Sequence, residues 1–168
     1  MDINLKENMK KIISIMLMMM CFATGFSQVK YSKGTDKVVI NVVKEDSTCY
    51  LNFIYTSEKK SMVDTPKLLI KLFDEEIISL QGKILDVTKK SEGGVVVGNV
   101  VVPINKIVSE AKFPISKSQI QQFAKGIKKV RLNTSPKFHE KVWTKDKIGK
   151  KLYSDYTASG PNSFNDGF

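Results

Sequence analysis

The chain has 168 residues, the length of a single domain with a leader. It carries 27 Lys and Arg against 17 Asp and Glu, a net charge of +10. Two Cys exclude a framework of several disulfides, and one His leaves little material for a His-based site.

The N-terminus has the order of features typical of a secretory signal peptide. Two lysines, Lys10 and Lys11, precede an apolar run over residues 12–22, and small residues follow up to Ser27. The apolar run is too short for a transmembrane helix, which needs about 20 residues. We therefore expect residues 1–27 to be cleaved and no transmembrane anchor to remain. The mature chain is expected to be exported, either to the periplasm or as a secreted protein.

The mature chain is predicted to be one β-rich domain over residues 28–157 with a disordered tail over residues 158–168. Removal of residues 1–27 leaves 24 basic and 15 acidic residues, a net charge of +9. It also removes Cys21, so Cys49 has no partner for an intrachain disulfide. Stability must then come from a hydrophobic core. Cys49 itself is expected to be buried, because it belongs to an alternating strand pattern of Cys49, Leu51, Phe53 and Tyr55.

Two β-hairpins are predicted in the first half of the mature chain. Each consists of two apolar runs around a turn-prone triplet, Glu45-Asp46-Ser47 in the first and Asp74-Glu75-Glu76 in the second. Adjacent acids in a turn do not converge on one cation, so we interpret the second triplet as turn and solubility residues. The predicted strand pairs are 38–43 with 48–55 and 68–72 with 77–80.

A valine-rich run follows a pair of glycines. Residues 95–102 are predicted as one strand, and Pro103 is expected at its end because proline cannot donate to a β-ladder. The stretch GGVVVGN lacks the Lys-Ser/Thr ending of a phosphate loop, so its glycines are expected to mark a turn and a close backbone approach. Residues 106–113 are predicted as a further extended segment.

A helix is predicted over residues 117–125. Ser116 can cap its N-terminus, Gln119 completes a capping box, and Gly126 stands where a C-terminal cap belongs. A strand over residues 127–133 is expected next.

A second helix is predicted after Thr144 from the spacing of Ile148, Leu152 and Tyr156, with Gly149 weakening it. This order of elements predicts an α+β fold with a mainly antiparallel β-sheet, one well-marked helix and a C-terminal helix. A β-sandwich is the alternative.

Residues 128–151 contribute nine basic and two acidic residues, +7 of the mature charge. A three-residue loop at 135–137 would place the apolar side chains of this segment on one buried face. A two-residue loop would instead put Arg131 opposite Glu140 and divide the apolar side chains over both faces. We therefore favour the three-residue loop. Its buried face would carry Val130, Leu132, Phe138 and Val142, and its exposed face Lys129, Arg131, Asn133, His139, Lys141 and Trp143.

This exposed face has the components of an anion-binding surface, because Lys supplies point charge, Arg a planar fork and Trp a stacking surface. An anionic glycan, an envelope lipid or an acidic protein is the expected class of partner. Nucleic acid is disfavoured for an exported protein. The candidate binding residues are Lys129, Arg131, His139, Lys141, Trp143 and Lys145.

No catalytic constellation is recognisable. His139 is accompanied neither by a nucleophile elbow nor by a signature around Cys49, so we assign no catalytic residue, metal ligand or cofactor. The expected function is that of a non-catalytic exported domain, which binds through the 128–151 surface or an exposed sheet edge. The alternative is a small exported hydrolase or transferase with a site assembled from scattered residues.

Three stretches carry a resemblance to a family. FATGFSQ, TPKLLIKLFDEEIISLQGK and FPISKSQIQQFAKGIKKVRLNT resemble small exported proteins of Bacteroidota. The likeness covers about half of the chain and consists of a strand and helix pattern. It implies export and an α+β domain, and it implies no activity.

Overall fold

A computed structural model describes residues 28–158 of the chain. The predicted signal peptide with Cys21, and all but the first residue of the predicted tail, lie outside the described residues. Within residues 28–158, neither helix combines the length and the apolar content needed to cross a bilayer.

The described part consists of eleven strands, two short α-helices and one 3-10 turn. In chain order, these are β1 (Val29–Lys33), β2 (Asp36–Glu45), β3 (Thr48–Ser57), β4 (Ser61–Met62), β5 (Lys67–Leu72), β6 (Ile77–Gln81), β7 (Lys83–Val97), β8 (Val100–Ile115), α1 (Lys117–Gln122), the 3-10 turn Phe123–Lys125, β9 (Ile127–Leu132), β10 (Thr134–Ser135), β11 (His139–Val142) and α2 (Gly149–Ala158).

The strands form two main antiparallel sheets. The first has the order β1-β2-β3-β8-β7, and the second has the order β11-β9-β5-β6. A short pair of β4 and β10 forms a third, two-stranded sheet. The predicted fold class is thus correct in its coarse form, a mainly antiparallel β-structure with two short helices.

Both sheets contribute to one cluster of buried apolar side chains, which alternation along the strands predicts. In β3, Cys49, Leu51, Phe53 and Tyr55 are buried, while the residues between them are partly exposed. Cys49 is a free, buried thiol, as predicted. Both predicted hairpins are present as β2–β3 and β5–β6. Each turn contains a non-glycine residue with positive φ, Asp46 in the first and Glu75 in the second.

The prediction of one strand over residues 95–102 is wrong. The chain reverses at Gly98 and Asn99, so three valines end β7 and three begin β8. Gly98 has a φ of 62°, in the left-handed region that a tight hairpin turn favours. Pro103 lies inside β8, opposite Gly94 and beside a β-bulge, where the loss of a ladder donor is tolerated.

The helical segment near residue 120 contains the predicted capping box. The Ser116 hydroxyl accepts from the Gln119 amide, and the Gln119 side chain accepts from the Ser116 amide. The α-helix is shorter than predicted and continues as the 3-10 turn up to Gly126, whose φ is 85°.

The second helix begins at Gly149, which is buried rather than a weak point. A Cβ atom at Gly149 would stand 2.7 Å from the Ile127 nitrogen and 2.8 Å from the Phe123 oxygen. The glycine therefore permits α2 to approach the chain between α1 and β9. Asp146 precedes the helix and accepts hydrogen bonds from the amides of Ile127, Gly149 and Lys150.

Candidate functional site

The register predicted for the basic segment is wrong in its second half. His139 pairs with Leu132, and Glu140 pairs with Arg131, which is the pairing that a two-residue loop implies. Val130 and Leu132 point into the core, as expected. In β11, the face predicted to be buried is exposed, and the face predicted to be exposed is turned inward. His139 and Trp143 are buried, whereas Phe138 and Val142 are about half exposed.

The buried side of β11 explains this exchange, because it faces aromatic and charged groups of the first sheet. The Trp143 ring meets the Tyr31 ring edge-on at 5.1 Å, and His139 contacts Tyr31 and Tyr55 with ring centroids 5.9 and 5.2 Å away. Asp36 is the polar partner of His139 on this side. A buried carboxylate needs hydrogen-bond donors, which His139 supplies and Phe138 would not.

Asp36 is the centre of a buried polar cluster between the two sheets. Its side chain accepts from the Ser57 hydroxyl at 2.6 Å, from the Lys60 ammonium at 2.8 Å and lies 3.2 Å from Nδ1 of His139. We call Asp36, Ser57, Lys60 and His139 the Asp36 cluster.

The protonation states in the Asp36 cluster follow from this geometry. Burial opposes ionisation of Asp36, but the hydrogen bonds from Lys60, Ser57 and His139 outweigh it and lower the pKa of Asp36 to about 2. Burial lowers the pKa of His139, and the Asp36 carboxylate offsets this only in part. Since Lys60 already neutralises Asp36, a protonated His139 would add an unbalanced buried charge.

The Asp36 cluster contains Ser, His and Asp, but it lacks the arrangement that activates a nucleophile. Ser57 donates to Asp36 rather than to His139, so no base receives the hydroxyl proton. Asp36, Ser57 and His139 are also at most 5% exposed, which leaves no room for a substrate. We interpret this cluster as a bridge between the two sheets.

The outer side of β9 and β11 carries a cluster of two basic side chains that share one carboxylate. Nε of Arg131 lies 2.6 Å from a Glu140 carboxylate oxygen, and Nζ of Lys129 lies 3.4 Å from the same oxygen. Phe138 stacks beneath the Arg131 guanidinium at 4.4 Å. Burial raises the pKa of Glu140, but the hydrogen bond and charge of Arg131, together with Lys129, outweigh burial and hold this pKa below its usual range.

The turn acids 74–76 pair with lysines of the second sheet and of the 3-10 turn. Asp74 and Glu76 both pair with Lys125, at 2.6 and 2.7 Å. Glu75 pairs with Lys71 and Lys128, whose hydrogen bonds lower its pKa to about 2. The three acids therefore do more than form a turn, because they neutralise part of the positive charge of Lys71, Lys125 and Lys128.

The remaining candidate residues lie apart from Lys129 and Arg131. The Lys141 ammonium donates to the Ser32 carbonyl, 3.1 Å away, on the inner side of β11. Lys145 is exposed in the loop that precedes α2. The six predicted binding residues thus do not form one exposed basic face, since two are buried and two face Glu140.

The most exposed apolar surface lies elsewhere, at the end of the β7–β8 hairpin. β8 pairs with β3 only from Ile107 onward. Residues 90–106 therefore form a two-stranded ribbon that extends beyond the sheet, and we call this ribbon the arm. Six valines near its turn are 48% to 68% exposed, and we call them the valine tip: Val95, Val96, Val97, Val100, Val101 and Val102.

The valine tip is apolar on both faces. Val95 pairs with Val102, Val96 with Val101, and Val97 with Val100. Because side chains alternate along a strand, the middle pair points to the core side of the sheet and the two outer pairs point to the opposite side.

Sequence reasoning missed the arm, although one signal for it was present. Gly98-Asn99 between two apolar runs is a dipeptide typical of a two-residue hairpin turn. The prediction that glycines here mark a turn and a close approach is confirmed. A Cβ atom at Gly94 would stand 2.6 Å from a Val101 methyl carbon.

Among residues 28–158, no group of three or more His, Cys, Asp or Glu side chains is arranged to hold a metal ion. No family model, curated protein or solved structure matches the chain. The arm is therefore the candidate functional site on the strength of its own geometry.

Proposed function

We propose that the mature chain is an exported, non-catalytic binding domain of the cell envelope and that it holds its partner through the arm. One observation carries this proposal: six adjacent valines are about half exposed or more, on a ribbon that no other strand within residues 28–158 adjoins. Monomeric soluble proteins rarely expose contiguous apolar surface of this kind, and it commonly marks an interaction site.

The free energy available from burying the exposed valines supports a partner that covers the valine tip. Full burial of a valine side chain stabilises by about 1.5 to 3 kcal/mol, so the half-exposed tip forgoes roughly 1 kcal/mol per valine. An isolated two-stranded ribbon is also only marginally stable in water. A partner that covers the valine tip would therefore both bind and order the arm.

The 128–151 segment is a weaker candidate than the arm, because the predicted basic face is not formed and part of its charge is balanced locally. Lys128 pairs with Glu75 of the β5–β6 turn, and Lys129 and Arg131 pair with Glu140 of β11. The mature net charge of +9 still attracts an anionic partner at long range.

The test compares three forms of the mature chain, residues 28–168, for cosedimentation with a bacterial cell-envelope preparation. The six-Thr variant replaces all six valines of the tip by Thr, which keeps strand propensity while removing the apolar surface. The control variant, Lys129→Gln with Arg131→Gln, removes two charges from the second sheet. Wild type and the control variant are expected to sediment with the envelope, and the six-Thr variant to stay in solution.

Trp143 reports whether each variant is folded. It is the one Trp in the chain, it is buried, and it contacts β1, at the opposite edge of the first sheet from β7. All three forms should show the same emission. Envelope association of the six-Thr variant equal to that of wild type would contradict the proposed function.

A further inference from the structure

We infer that the arm binds a membrane of anionic phospholipid and that the valine tip inserts into one leaflet. This inference rests on the proposed function and names the partner of the same site. The first argument is that apolar side chains lie on both faces of the tip. A protein surface stacked on the ribbon covers one face, whereas lipid surrounds both.

The edge of the arm disfavours a second copy of this chain as the partner. Among the strands of residues 28–158, β7 pairs with β8 alone, and its other edge has no strand partner there. That edge strand carries Lys90 in the arm and Lys83 and Lys89 before the arm, and it is interrupted by a bulge between Ser91 and Gly94. Edge lysines and bulges are the features that block strand-to-strand pairing between chains.

The length of the tip fits insertion into the interface of a bilayer. Strands rise about 3.3 Å per residue, so three valine pairs and their turn reach about 10 Å. Interfacial segments insert about 5–10 Å, far less than the ~30 Å hydrocarbon core. At this depth, the unpaired edge amides and carbonyls stay close to headgroups and water, which they would lose at the bilayer centre.

Positive charge at the base of the arm complements an anionic surface. Lys90 and Lys106 face each other at the base of the arm, and Lys89 adjoins them. Glu92 is the one acid of residues 90–106, and Lys106 pairs with it. Long lysine side chains can extend toward headgroups while the apolar tip inserts. Interfacial binding strength grows with the buried apolar area and with electrostatic attraction to anionic lipids, and the arm supplies both.

The test uses the mature chain and protein-free vesicles of two compositions, phosphatidylcholine alone and equal parts phosphatidylcholine and phosphatidylglycerol. Wild type is expected to sediment with the mixed vesicles and at least about tenfold more weakly with phosphatidylcholine. Binding should weaken as salt shortens the Debye length from about 10 Å at 0.1 M to about 3 Å at 1 M. The six-Thr variant should lose at least about tenfold in affinity.

A second variant tests insertion directly. Val97→Trp places an indole at the tip, and its emission should shift to the blue when mixed vesicles are added. Wild-type emission should stay unchanged, because Trp143 is already buried. In the opposite direction, Val96→Ile with Val101→Ile should tighten binding by about fourfold per added methylene.

Three results would overturn the inference: no vesicle binding by wild type, equal binding by the six-Thr variant, or equal binding to both vesicle compositions. An arm-dependent dimer without vesicle binding, seen as a doubled mass for wild type alone in light scattering, would assign the tip to a second copy. If envelope association still requires the tip in any of these cases, the proposed function stands and only the lipid partner is wrong.

Discussion

His139 and Asp36 join the two sheets of the fold through a contact of 3.2 Å between Nδ1 and a carboxylate oxygen. Asp36 begins β2 in the first sheet, and His139 begins β11 in the second. Both side chains are buried. Because His139 is the one His of the chain, its titration can be followed without interference from another imidazole.

Stability should fall as the pH drops below neutral because of His139. Its folded-state pKa is lowered by burial, so the unfolded chain takes up a proton near pH ~6.5 that the folded chain does not bind. The folded state therefore loses stability as the pH falls through about 6.5 toward the lower folded pKa. Denaturant midpoints between about pH 7 and 5 should show this slope in wild type and not in His139→Gln. Equal slopes in both proteins would contradict the assignment.

Asp36 should stabilise the fold at all but strongly acidic pH. Its pKa is about 2 in the folded state against 3.8 ordinarily. The unfolded chain thus binds the proton first, and the contribution of about 2 kcal/mol is present above about pH 4 and lost toward pH 2. Asp36→Asn should remove this acid dependence and lower the unfolding free energy at neutral pH. The matched control Asp64→Asn changes an exposed acid and should have no measurable effect.

The capping box of α1 should contribute measurably to stability. Ser116→Ala removes the oxygen that accepts from the Gln119 amide, at an expected cost of about 0.5 to 2 kcal/mol. Gln121→Ala, at an exposed position of the same helix, serves as the control and should change stability by less than about 0.5 kcal/mol. A Ser116→Ala protein with the wild-type urea midpoint would show that the cap contributes nothing.

Gly149→Ala should destabilise the protein although alanine is the better helix former. At an ordinary helix position, this exchange gains up to about 1 kcal/mol. Here the added Cβ meets backbone atoms of Ile127 and Phe123 at less than 3 Å, and overpacking should cost about 1 to 3 kcal/mol. Ser154→Ala, at an exposed position of α2, should be neutral or slightly stabilising. A stabilised Gly149→Ala protein would place α2 farther from β9 than described.

Arg131 and Glu140 should show a modest energetic coupling, which tests the observed register of β11. A double-mutant cycle with Arg131→Met and Glu140→Gln should give about 0.5 to 1 kcal/mol, because both side chains are partly exposed to solvent. The coupling should shrink at high salt. A value indistinguishable from zero at low salt would favour the register in which these residues are not opposite each other.

Local patterns in the sequence were sufficient for much of the fold. Alternating burial in β3, the turns of two hairpins and the capping box at Ser116 depend on residues close together in the chain. The expected burial of Cys49 follows from the same alternation. Such features can be predicted because the interactions that create them are short-range.

Tertiary structure decided which side of β11 is buried. The apolar pattern favoured Phe138 and Val142 on the inside, but the opposing surface presents Asp36 and Tyr31, which lie more than 100 positions earlier. A buried carboxylate must be paired, and this requirement outweighs the burial of two apolar side chains. Only the assembled sheets bring that carboxylate to His139.

Tertiary structure also decided whether the valines of residues 95–102 are buried or exposed. By itself, the sequence established a stretch of strand-forming residues with glycines that can turn the chain. A buried strand and an exposed hairpin tip share this local pattern, because the neighbouring strands that cover the side chains are not part of the pattern. The end of β3 decides between the two: β3 ends at Ser57, opposite Ile107. Residues 90–106 therefore extend past the neighbouring strand, and their valines face solvent.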